Sequence, residues 1–118
     1  MSYDIVGAVK KMHNQFGINK EFNVNEKRFR MVCMLEELAE YGEAHTKEDE
    51  LDALVDLVVF AVGTAERAGF GDVFDLACSR VMRANMQKKV SPLLKRGGFE
   101  FDLVKPKGWK SPNFSDLV

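Results

Sequence analysis

Between Ala53 and Gly63 every residue is apolar or glycine except Asp56. A helix that is apolar on nearly every side has to be covered by neighbours on more than one of them. A carboxylate inside such a run is drawn out of water with it. Left unpartnered there, it would cost several kcal/mol, so Asp56 is expected to be neutralised, ion-paired or bound to a metal. Arg28, Arg30 and Arg67 are the candidate ion-pair partners; a cation is the other solution. Asp52 lies one turn earlier, and positions 52, 56, 59 and 63 share a face at helical spacing. Ala53 and Gly63 are small enough to let a neighbouring helix approach closely.

The rest of the chain reads as helices around this one. Its 118 residues suffice for one domain, 1–118, and 46% apolar residues suffice for a packed core. Three prolines and nine glycines leave long stretches without breakers. A first helix is expected from about Ser2 to Phe16, with Val6, Val9, Met12 and Phe16 in step and Gly17 ending it. A second is expected from an Asn25 cap, with Phe29, Val32, Leu35 and Leu38 as its apolar stripe. Thr46 followed by Asp49 resembles a capping box, so a third helix begins there and runs towards Gly69. A fourth, capped by Asp72, continues through Val90 and stops before Pro92. From Ser91 onward (91–118) the chain reads as an irregular tail rich in Gly, Pro and Lys. The fold class expected is therefore all-α: a four-helix bundle with an irregular C-terminal tail, its second and third helices forming an antiparallel hairpin.

Charge is divided along the chain. The net charge is −1, yet residues 36–56 carry nine acidic groups against one lysine, while residues 80–110 carry nine basic groups against two acidic ones. The small total argues against a protein made to coat nucleic acid or an anionic membrane. The local imbalance points elsewhere. Glu36, Glu37 and Glu40 fall on adjoining parts of one helical surface, where like charges repel. If the second and third helices form a hairpin, these three converge with Asp52 and Asp56. A cation makes that convergence favourable, and oxygen-only ligands suit Mg²⁺ or Mn²⁺ rather than zinc. Arg83, Asn85 and Lys88, late in the fourth helix, would then meet phosphate or sugar oxygens, bridging the two halves of the charge imbalance.

Other chemistry is thinly represented. Cys33 and Cys78 lack C-x-x-C spacing, which points to a reducing, cytoplasmic setting. No signal core and no membrane-length apolar run is evident. His13 and His45 lack the partners of a zinc site, and no phosphate-loop, dinucleotide or nucleophile-elbow motif occurs.

The order E-E-x-x-E, then D-A-L-V-D-L-V-V-F-A-V-G-T-A, then R-x-N-M-x-K, then K-P-K-G-W-K-S-P-N resembles the MazG-like all-α nucleoside triphosphate pyrophosphohydrolases, in particular their small single-domain bacterial and phage members. M-H-N-Q-F-G at 12–17 fits the start of that pattern, so the resemblance spans about Met12 to Asn113. It implies a helical homodimer or homotetramer that uses Mg²⁺ to split a nucleoside triphosphate into the monophosphate and pyrophosphate. Carried over, the metal ligands are Glu37, Glu40 and Asp56. The family's remaining glutamate falls at Ala53, which cannot ligate, and Asp52 is the natural substitute. In the mechanism this suggests, Glu36 activates the water, Arg83 and Lys88 hold phosphate oxygens, and His13, Phe16 or Trp109 contacts the base. The alternative reading is a non-enzymatic helical module with an acidic face for a partner and a basic tail touching nucleic acid. It predicts no metal dependence.

Overall fold

Helix starts are set by side chains that take up otherwise orphaned backbone N–H groups. In the computed structural model, which describes residues 2–90 and 102–118, Asp4 accepts from the Gly7 amide and opens α1, Ile5–Gln15. Gly17 follows its end at φ +67°, the left-handed conformation that ends a helix cheaply only at glycine. The second helix begins two residues before the expected Asn25. Asn23 Oδ1 accepts from both the Asn25 and Glu26 amides, so Asn23 is the cap of α2, Val24–Glu43. This start puts the Glu26 carboxylate in the first turn, where the helix dipole favours it. Thr46 caps α3, Lys47–Ala65, through the Asp49 amide at 3.1 Å, as its sequence spacing predicts.

Close packing divides the chain into two compact units, Met1–Phe74 and Asp75–Val118. In the first, α2 and α3 are joined by only three residues and pack along one another as a helical hairpin, with α1 also laid on α3. Beyond Ala65 the helix widens into a π-type turn, Glu66–Phe70, closed by Gly69 at φ +91°. Gly63 is a point of close approach. A Cβ there would stand 3.0 Å from Arg30 Nη1 and 3.4 Å from His13 Nε2.

The helix running into the second unit, α4, spans Phe74–Asn85 and ends short of the expected Val90. The Gln87 and Lys88 amides turn back to the Ala84 and Asn85 carbonyls. Lys89–Val90 (β1) then pairs antiparallel with Leu103–Val104 (β2), Lys89 opposite Val104. The backbone hydrogen bonds of 89–90 are thus made across a ladder rather than along a helix. Further on, Trp109 Nε1–H donates to the Ala84 carbonyl at 2.7 Å, and the Arg80 guanidinium pairs with both Asp116 oxygens. The helix end at Pro92 and the first part of the expected tail, 91–101, lie outside the described residues. The chain is all-α with four α-helices among the described residues, apart from the two-residue ladder and the widened turn. None of these helices is long and apolar enough to cross a membrane.

The second helix faces the opposite way from its expected stripe. Phe29, Val32, Leu35 and Leu38 are 51–63% exposed, while Arg30 and Cys33 are buried and Glu26 and Glu37 half-buried. Both sets have helical periodicity, and the polar one faces the other helices. On α1 as well, Val9 and His13 are buried while Met12 and Phe16 are exposed. The buried apolar side chains of the described residues are Val9, Cys33, Ala53, Val62, Ala65 and Ala84. This is a core of small residues, with no large side chain fully enclosed.

Candidate functional site: an acid-lined cleft at the helical hairpin

The first unit places charge at both ends of α2. Near the N-terminal end, Glu26 accepts from Arg30 Nε at 2.9 Å and from Arg67 Nε and Nη2 at 2.8 and 2.7 Å. Arg67 Nη2–H also donates to the Lys20 carbonyl. Charge-assisted bonds of this kind are the strong ones. The Arg67 guanidinium first, and Arg30 with it, hold the Glu26 carboxyl down at about 2 from its ordinary 4.5. His13, 3% exposed, binds Glu66 Oε2 at 2.7 Å through Nδ1 and stands 3.5 Å from Arg30 Nη2 through Nε2. Facing the guanidinium N–H, Nε2 acts as acceptor, which leaves the proton on Nδ1. The widened turn after α3 serves this network, since it supplies both Glu66 and Arg67.

Towards the C-terminal end the acids have no such partners among the described residues. Glu37 is half-buried, and among the described residues its Oε2 is the one buried side-chain nitrogen or oxygen without a hydrogen-bond partner. Burial, followed by sharing a hydrogen with Glu40 and the negative charges of Glu40, Asp56 and Asp52, pushes the Glu37 carboxyl up to about 7. Glu40 and Asp52 are exposed and Asp56 half-buried. Neither Arg30 nor Arg67 pairs with Asp56, because Glu26 engages both. Beside them opens a cavity of about 270 Å³, lined by Glu40, Glu43, Ala44, Asp49, Asp52 and Ala53. Ala53, 3% exposed, lets the two helices close together at its floor.

Two cleft acids were not singled out by sequence reasoning, Glu43 and Asp49. Asp49 could be read only as a capping-box partner. Its place in the cleft follows from the three-residue link, which folds the start of α3 back on the end of α2. Among the described residues no group of three or more His, Cys, Asp or Glu side chains is gathered tightly enough to hold a metal ion as it stands. Like-charge repulsion gives exposed glutamates every reason to splay. The donor chemistry nevertheless fits a hard divalent cation. An orphaned buried oxygen, a carboxyl driven towards neutrality and acids on both sides of one cleft would all be relieved by it.

The remaining expected site residues are distributed differently. Glu36 is exposed on α2 beside Glu37. Burial, then the Glu36 charge, pushes the Cys33 thiol up, which disfavours the thiolate. His13 has both ring nitrogens committed inside the protein and no edge to offer a base, whereas Phe16 is 66% exposed at the end of α1. Arg83 and Asn85 are on α4, with Arg83 exposed. Lys88 Nζ stands 5.2 Å from the centroid of the Trp109 ring, and Lys105 Nζ 5.1 Å from it. Compared with protein-family models, with curated proteins and with solved structures, the chain matches none.

Proposed function

We propose that this chain is a Mg²⁺-dependent nucleotide pyrophosphohydrolase of the MazG-like type, converting a (deoxy)nucleoside triphosphate and water into the monophosphate and pyrophosphate. The observation that carries the proposal is Glu37. It is a half-buried carboxyl with an orphaned oxygen, raised to about 7 among Glu40, Asp52 and Asp56, and among the described residues no arginine or lysine pairs with any of the four. Proteins rarely assemble such a group without a use for it.

Glu37, Glu40, Asp52 and Asp56 would hold the cation, Mg²⁺ or Mn²⁺. Bound there, the cation supplies charge neutralisation on the phosphate chain and a polarised phosphoryl group. Glu36, exposed beside these ligands, takes the proton of the attacking water. The water oxygen bonds to the α-phosphorus, the bond from that phosphorus to the bridging oxygen breaks, and pyrophosphate leaves with the electron pair. Arg83, Asn85 and Lys88, expected from the sequence to meet phosphate and sugar oxygens, belong to the second unit, and exposed Phe16 is the remaining candidate of the first unit for the base.

The same reading includes a homodimer or homotetramer. Phe29, Val32, Leu35 and Leu38 on α2, with Leu51, Leu54, Val55 and Val58 on α3, are all exposed in the single chain. Apolar surface on that scale is the mark of a face that is covered in the working protein. A second copy supplies the cover and the large-residue core that one chain lacks.

The test is a panel of canonical and deoxy nucleoside triphosphates assayed with Mg²⁺ for pyrophosphate release. Turnover of at least one nucleotide, abolished by EDTA and by Asp56→Ala, is expected. No turnover, or full activity in Asp56→Ala, overturns the enzyme reading in favour of a metal-independent binding module. Light scattering on the eluting protein should give at least twice the 13.4 kDa chain mass.

A further inference from the structure

The second unit contains a cavity that none of this uses. On α4, Arg83 and Ala84 lie three and four residues after Arg80, and Gln87, in the turn just past the helix end, lies three residues after Ala84, so the four line one side. Ala84 is the small residue between longer ones, and the missing side chain leaves room. The opposite wall is Lys110 and Pro112, and the cavity, open to solvent, has a volume of about 200 Å³. That wall is fastened at both ends. On one side Trp109 Nε1–H donates to the Ala84 carbonyl. On the other, Arg80 Nη1–H donates to the Asn113 carbonyl at 2.8 Å, and its guanidinium pairs with Asp116. Residues 110–112 therefore span the cavity between two anchors, and Lys110 is delivered to a helix face that already carries two arginines.

Charge decides what such a cavity takes. Three cationic side chains line it, and the only carboxylate tied to them among the described residues is Asp116, which neutralises Arg80. Arg83 and Lys110 have no ion-pair partner among those residues. Bringing like charges to one pocket is unfavourable in water and becomes favourable when an anion sits between them. Arg83 offers a planar fork suited to oxygen pairs, Lys110 a point charge, and Gln87 a neutral amide donor. Asn85 and Lys88 do not line this cavity. On helical geometry the Asn85 side chain leaves α4 about 100° from that of Ala84.

We propose that Arg83 and Lys110, with Arg80 and Gln87 beside them, form an oxyanion site that takes a phosphate group. The site is built wholly from residues of the second unit and does not depend on the hydrolase reading. Trp109 is the chain's single tryptophan and adjoins Lys110, so its emission reports on the pocket directly.

The experiment titrates the full chain in EDTA with inorganic phosphate, holding ionic strength constant with chloride. A saturable change in Trp109 emission is expected. Removing two charge-assisted contacts in the Arg83→Gln/Lys110→Gln double variant should weaken it by about 10- to 100-fold. Circular dichroism checks the variant's fold, and the single Arg83→Gln exchange provides a milder step in the same direction. Asn85→Ala should leave the affinity unchanged. A nucleoside monophosphate titrated in parallel identifies the source of the phosphate. Equal affinities mean that the free ion is the ligand, and tighter monophosphate binding means that the phosphate arrives on a nucleoside; both support the site. No saturation beyond chloride, equal affinity in the double variant, or an equal loss in Asn85→Ala overturns it. Because no metal is present, none of these results bears on Mg²⁺-dependent hydrolysis.

Discussion

The two ends of α2 carry the same kind of group in opposite circumstances. At the N-terminal end Glu26 is held by two arginines and its carboxyl sits at about 2; at the C-terminal end Glu37 has three acids for neighbours and is raised to about 7. Both are half-buried glutamates on one helix. What separates them is the supply of cations: the fold brings Arg67 from 41 residues away to Glu26 and brings Asp52 and Asp56 to Glu37. The first end is closed by the protein itself. The second is left open to a cation from solution, and that is the physical content of the proposed metal site.

The largest effect should come from breaking the open end. Asp56→Asn keeps the side-chain size and removes the charge. It should lower pyrophosphate release by about 100-fold or more, the order found when one charge-stabilising group is lost from a catalytic site. Steady-state kinetics at saturating nucleotide and Mg²⁺ measure it. The same exchange should leave unfolding in EDTA unchanged or displaced towards higher stability, because it removes one of the charges crowding Glu37. If both activity and metal-free stability fall together, Asp56 is structural and the two ends of α2 are more alike than proposed.

At the closed end the cost is one of stability. Glu26→Gln leaves Arg30 and Arg67 without their counter-ion and should cost on the order of 3 kcal/mol by urea denaturation, with no recovery on adding Mg²⁺. Lowering the pH should approach the same result. The folded carboxyl titrates at about 2 and its ordinary value is 4.5. Its contribution is therefore fully present above pH 4.5 and is lost as the pH falls towards 2. Glu26→Gln should flatten the stability profile across that window.

Much of this contrast is legible in the sequence, and the missing part has a definite cause. Asp56 in an apolar run and the Thr46–Asp49 spacing are local signals, and both led to the hairpin and its carboxylates. The direction of α2 is not local. Residues 26, 30, 33 and 37 and residues 29, 32, 35 and 38 are both periodic at helical spacing, so periodicity alone finds two faces and hydrophobicity selects the second. The fold turns the first inward because Glu26 and Arg30 find Arg67 and His13 there, partners 41 and 17 residues distant. The apolar stripe is left outside. Likewise, helical periodicity carries α4 on to Val90, past its end at Asn85, because the ladder partner of Lys89 and Val90 is remote in sequence.

The metal itself gives the next effect in size. A cation that binds only the folded state at 100 times its dissociation constant adds about 2.7 kcal/mol, read as a rise in melting temperature. The pH dependence runs opposite to that of Glu26. With the Glu37 carboxyl raised to about 7, the folded protein keeps a proton between pH 4.5 and 7 that the unfolded chain has released. Metal-free stability from this group therefore falls as pH rises through that range. The Mg²⁺-induced shift should be larger at pH 8, where the carboxyl is ionised, than at pH 5, where the cation must displace a proton. Glu37→Gln should abolish both the shift and its pH dependence.

The smallest effect tests how rigid the closed end is. In Gly63→Ala the new methyl would lie 3.0 Å from Arg30 Nη1 and 3.4 Å from His13 Nε2. Alanine is the better helix former by about 1 kcal/mol, so a loose neighbour would make the exchange neutral or stabilising. Arg30 is not loose. Glu26 fixes its Nε, and moving the guanidinium strains that bond as well as the contact with His13. Overpacking of this kind costs about 1–3 kcal/mol, and a net loss of about 1 kcal/mol is expected. In a Glu26→Gln background the guanidinium is released, and the same exchange should cost nothing. The double-mutant cycle measures that difference directly. A cost that persists in the Glu26→Gln background would mean that backbone packing at Gly63, rather than the ion pair, holds α2 against α3.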